Sequence, residues 1–78
     1  MKNSNKNKNL ISLGNQIREK RKSLGFTQES LALEVGIDRS YMGGIERGER
    51  NISFLTLVNI AKCLSCDIAS LTKELPND

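Results

Sequence analysis

Residues 27–51 read TQESLALEVGIDRSYMGGIERGERN, and the spacing within them decides the fold. Leu31 and Val35 stand four apart and share one helix face. Ala32 lies beside that face and is small enough to let a second helix cross closely. Gly36 can take the left-handed conformation that ends a helix and opens a sharp turn. Ile37 plugs that turn, and Met42 and Ile45 set a second apolar stripe on the segment that follows. Thr27 and Asp38, both good N-caps, stand where the two segments begin. Two short helices joined in this way form a helix-turn-helix, which makes double-stranded DNA the expected partner.

The flanking sequence supplies the rest of a small helical domain. Leu10, Leu13, Ile17 and Leu24 fall at helical spacing and predict a first helix over 10–24, which Gly14 weakens modestly. Gly25 is its C-cap and Phe26 a core anchor. After the polar stretch 48–52, Ser53 caps a fourth helix with Phe54, Leu57, Ile60, Ala61 and Leu64 as its core stripe. Leu55 and Val58 fall off that stripe and predict an exposed apolar patch. Asp67 opens a fifth helix carrying Ile68, Leu71 and Leu75, and Pro76 stops it. The expectation is an all-α, five-helix domain over 10–75, behind a disordered Lys/Asn/Ser-rich basic tail over 1–9.

Composition narrows the function. A chain of 78 residues holds one small core, and dimerisation would help to stabilise it. The net charge of +3 is weak testimony for nucleic acid, because Lys2, Lys6 and Lys8 account for all of it. The remainder is near neutral, so a DNA-binding face must come from a few placed groups rather than from bulk charge. No apolar run approaches the ~20 residues of a membrane span, and the basic N-terminus lacks the apolar core of a secretory signal. A cytoplasmic address follows. Cys63 and Cys66 form a C-x-x-C, but there is no His and no further Cys to complete a metal set. They are expected to be core or dimer-face residues, and no cofactor or small-molecule ligand is implied. With no nucleophile–base pair and no phosphate loop, an enzyme is excluded.

The chemistry concentrates on the third helix. Arg39 and Ser40 stand at its N-terminal turn, where Arg39 can bond guanine O6 and N7 in bidentate fashion and Ser40 can serve several base edges. The competing reading of Arg39 is a surface ion pair with its neighbour Asp38. Gly43 and Gly44 interrupt the helix at about 1 kcal/mol each relative to Ala. Either they let the helix backbone lie close to base edges, or one of them faces the second helix where only a small residue fits. Tyr41 offers a hydroxyl to a phosphate. Gln28 places an amide and free backbone N–H groups at a helix start, where a phosphate can dock. Arg47, Arg50 and Asn51 follow the third helix and can straddle the DNA backbone on its far side.

These residues carry a family resemblance. From about Ile17 to Leu71 the chain resembles the Cro/CI-type helix-turn-helix domains of phage repressors, and DRSYMGGIERGERN is similar to the controller proteins of bacterial restriction-modification systems. The resemblance implies a five-helix domain that binds a palindromic operator as a homodimer and both activates and represses its own operon. Positions matching Arg39, Ser40, Gly43 and Gly44 would face bases. Those matching Gln28, Tyr41, Arg47, Arg50 and Asn51 would approach the backbone or nearby bases. It further implies an ion pair between Arg21 and Glu46 that fixes the angle of two helices. The dimer face is expected at Leu55, Val58, Cys66 and Ile68. Gly43 and Gly44 depart from the common pattern, which often carries base-reading side chains there, so operator shape would hold more of the specificity. A phage-type repressor and an antitoxin-like interaction protein are the alternatives.

Overall fold

Each helix begins on a short polar side chain that accepts from the backbone N–H groups ahead of it. Asn7 accepts from Asn9 and Leu10, Thr27 from Ser30, Asp38 from Ser40, Ser53 from Thr56 and Asp67 from Ser70. These caps satisfy N–H groups that a helix cannot satisfy internally. At Thr27 the arrangement is reciprocal, since the Ser30 hydroxyl accepts from the Thr27 N–H at 2.9 Å. The computed structural model describes residues 7–77. Its helices are α1 Lys8–Ser23, α2 Gln28–Val35, α3 Arg39–Glu46, α4 Phe54–Cys63 and α5 Ile68–Thr72, with no strand among the described residues.

Two helix limits differ from the sequence expectation. Asn7 caps α1, so the helix starts at Lys8 inside the segment read as tail. Residues 1–6 of that segment lie outside the described residues. At the other end, α5 stops at Thr72 rather than running to Pro76.

The core is assembled by α1 resting on α3 and α5, α2 on α3 and α4, and α4 on α5. Ile17, Leu31, Met42, Ile45, Ile60, Leu64 and Leu71 are fully buried where these faces meet. Burying side chains of this size contributes about 1.5–3 kcal/mol each. Phe26 and Ile37 pack against that cluster from the turns, and Leu75 from beyond α5.

Two residues read as core are exposed. Leu24 is 48% exposed, because it is the C-cap of α1 and the chain turns away at Gly25. Phe26 then takes the inward position. Phe54 is 69% exposed at the first position of α4. Helical side chains lean toward the N-terminus, so a first-turn residue projects beyond the body that Leu57 and Ile60 reach.

Gly14 has a larger role than its helix propensity suggests. A Cβ there would lie 2.5 Å from the carbonyl oxygens of both Ile45 and Glu46. Only glycine lets α1 cross the end of α3 this closely, and this crossing sets how α3 stands on the domain.

Candidate nucleic-acid interface

The turn between α2 and α3 follows from Gly36, which sits at φ 86°. Its N–H and that of Ile37 both bond the Ala32 carbonyl, at 2.8 and 2.9 Å, closing α2 and reversing the chain. Ile37 drops against the core, and Asp38 immediately starts α3. The pair α2 and α3 is therefore a helix-turn-helix in three dimensions as well as in spacing.

Asp38 faces its own helix. Its carboxylate accepts the Ser40 hydroxyl and, at 3.0 Å, the Ser40 N–H. Those bonds, the hydroxyl first, hold its carboxyl below the ordinary value of 3.8. The surface ion pair with Arg39 does not form. Arg39 is exposed and makes no hydrogen bond or ion pair among the described residues. Ser40 is exposed too, but its hydroxyl proton is committed to Asp38, leaving its oxygen as an acceptor.

Gly43 and Gly44 do not present bare backbone to solvent, and Gly43 fits the reading in which one of them faces the second helix. Each is buried beneath side chains from outside α3. A Cβ on Gly43 would lie 3.0 Å from Arg47 Nη1 and 3.3 Å from Gln28 Oε1. A Cβ on Gly44 would lie 2.9 Å from Arg50 Cγ and 3.2 Å from Arg50 Nε. The glycines thus form a trough along α3, and α2 and the loop after α3 fill it with an amide and two guanidinium groups. Gln28 belongs to α2, the helix expected to face one of these glycines. Arg50 continues across α3 until its guanidinium carbon lies 5.6 Å from the centre of the half-buried Tyr41 ring, a cation–π arrangement. Arg47 also bonds Glu49, Nη2 to Oε1, at 3.1 Å. Asn51 follows, exposed.

Under this face lies a buried polar network. Arg21 Nε donates to Glu46 Oε2 at 2.6 Å and Nη2 donates to Glu46 Oε1 at 3.0 Å. Arg21 Nη1 donates to the Phe26 carbonyl at 2.8 Å. The two side chains are 10% and 2% exposed, so this pair is the expected ion pair in bidentate form, joining α1 to the end of α3. The network extends further than the sequence indicated, because Gln28 Nε2 donates to Glu46 Oε1 at 3.0 Å. Nothing in the spacing of Gln28 and Glu46 announces that bond. The signal that was legible is the glycine at 43, whose helix penalty demands a close neighbour.

The proposed dimer residues lie away from α3. Leu55 is 71% exposed, while Val58, Cys66 and Ile68 are half-buried. The exposed Phe54 adjoins Leu55 and enlarges the apolar surface beyond what was foreseen. Cys63 and Cys66 are both free, and burial pushes both thiols above their ordinary value of 9.0. Protonated thiols of this kind are poor nucleophiles and poor metal ligands at neutral pH.

The fold and this face define the class: the helix-turn-helix family, whose model matches residues 17–71, and the chain belongs to it. The family is a class of non-enzymatic, DNA-binding transcription regulators. Within it, the chain is 32% identical over 69 residues to the control protein C.MunI of a Mycoplasma species, covering 87% of this chain and 93% of that one. It is 42% identical to the restriction-modification controller protein C.AhdI of Aeromonas hydrophila, whose crystal structure it matches with a TM-score of 0.78 over 80% of this chain and 94% of that one. The biofilm master regulator SinR, solved in complex with DNA, matches at 30% identity and a TM-score of 0.72, over 76% of this chain and 95% of SinR.

Proposed function

We infer that this chain is a sequence-specific transcription regulator of the restriction-modification controller type, which binds a palindromic operator as a homodimer. The observation that carries the reading is Arg39, an exposed guanidinium at the N-terminal turn of α3 with no partner among the described residues, while Asp38, Glu46, Arg47 and Arg50 around that helix are engaged. An unpaired guanidinium is free to bond guanine O6 and N7. Arg39 and Ser40 then read bases, and Gln28, Tyr41, Arg47, Arg50 and Asn51 flank them along the DNA backbone. Likeness to C.MunI and C.AhdI supports the controller assignment.

A second copy docks through Leu55, Val58, Cys66 and Ile68, with Phe54 beside them. The two α3 helices then enter successive major grooves about 34 Å apart. No helix among the described residues is long and apolar enough to cross a membrane, and the proposed address is the cytoplasm.

Selection of bound duplexes from random DNA tests this reading. The expected product is a two-fold symmetric sequence with half-sites about one helical turn apart, protected by a dimer in sedimentation. Recovery of no preferred sequence, or of an asymmetric site covered by a monomer, would contradict it.

A further inference from the structure

We propose that Gly43 is an affinity-determining position for DNA because its missing Cβ lets the amide oxygen of Gln28 and the guanidinium of Arg47 converge over α3, so that Gln28 steers Arg47 toward a phosphate. The proposal deepens the DNA-binding reading and rests on it. It assigns Gly43 a different part from close approach of the helix backbone to bases.

The orientation of Gln28 is fixed from below. Glu46 is held by two bonds from Arg21, and an ionised carboxylate can only accept. The amide nitrogen of Gln28 must therefore face Glu46, and its Oε1 must face the trough above Gly43. Arg47 reaches the same spot from the other end of α3, its Nη1 standing 3.0 Å from the position a Gly43 Cβ would take. A methyl group there would be tighter than ordinary van der Waals contact with both partners at once. Both are ends of flexible side chains, so the helix can keep its fold while the two groups are driven apart.

With glycine in place, the trough holds Gln28 Oε1, an acceptor, beside Arg47 Nη1, a donor, so the amide from α2 draws the guanidinium over α3. A guanidinium steered in this way turns its remaining N–H groups to a phosphodiester oxygen. The glycine thereby ties the backbone-gripping groups to the helix that carries Arg39. It also makes Glu46, through Gln28, a positioning residue for the DNA face.

A double-mutant cycle reads this directly, using the duplex selected by the wild-type chain as probe. Gly43→Ala is expected to melt at or above the wild-type temperature, since alanine favours helix, yet to bind about tenfold more weakly. In an Arg47→Ala background the same change is expected to weaken binding less than about threefold, because the partner it displaces is gone. Should Gly43→Ala fail to fold, the Gln28→Ala and Arg47→Ala cycle takes its place, with strongly non-additive losses expected. Gly43→Ala binding like wild type, or additive losses in the cycle, overturns the inference and leaves the DNA-binding reading standing. A wild-type chain that retains no duplex overturns both.

Discussion

The two ends of α3 are built on opposite principles. At its C-terminal end Glu46 is buried, and Arg21 and Gln28 together place three hydrogen bonds on its two oxygens. At its N-terminal end Arg39 stands in solvent with no partner among the described residues, while Asp38 turns its charge onto the helix cap instead. One end is locked so that the other can be left free at a defined angle. On the proposed reading the domain needs no large positive charge, because a few placed groups, Arg39 foremost, take the part of bulk electrostatics.

Breaking the locked end has the largest expected effect. Glu46→Ala leaves the Arg21 charge buried without a counter-ion, and about 3–5 kcal/mol of folding stability should be lost. Urea unfolding would register this as a lower midpoint with little change in slope. A loss below about 1 kcal/mol would mean the pair is solvated and does not fix α3.

Gly14→Ala comes next. Its Cβ would strike the carbonyl oxygens of Ile45 and Glu46, which are backbone and cannot swing aside. Separating α1 from α3 to make room should lower stability by about 1–3 kcal/mol, against the usual gain from removing a helix glycine. Gly43→Ala, where the neighbours are side-chain ends, is the contrasting substitution. If both variants melt alike, the distinction between the fixed crossing and the adaptable trough fails.

The smallest effect is in acid. Hydrogen bonds from Ser40 and Ser70 hold the Asp38 and Asp67 carboxyls below 3.8. A depressed folded value means that the contribution is present above the unfolded value and fades as the pH falls through the folded one. Melting temperature should therefore be nearly flat from neutral pH to about pH 5 and fall below about pH 3.8, less steeply in Asp38→Asn/Asp67→Asn. Asparagine keeps an acceptor at each cap without the titrating charge. An identical acid limb in that variant would show that other groups govern the loss.

Much of this was legible in the residues. Apolar spacing and the caps at Thr27, Asp38, Ser53 and Asp67 sufficed for five helices and for the turn at Gly36, because each depends on neighbours within a few positions. The errors came at helix ends. Phe54 and Leu24 keep the period of their stripes, but the helix stops being in contact with the core where they stand. The lysine-rich start conceals a cap at Asn7 for a different reason, since its composition outweighs a local signal. What no spacing could show was the tertiary use of glycine. Gly14 and the pair at 43 and 44 carry the same penalty in sequence. One glycine admits a neighbouring backbone, while the other two admit the side chains of Gln28, Arg47 and Arg50.

The central claim is that the free end of α3 reads sequence while the locked end only holds it. Arg39→Ala, compared with wild type in binding to the selected duplex and to single base-pair variants of it, tests this most directly. The account predicts an unchanged melting temperature, a binding loss of ~1–3 kcal/mol, and relaxed preference at one base pair of each half-site. Binding as tight and as selective as wild type would contradict it.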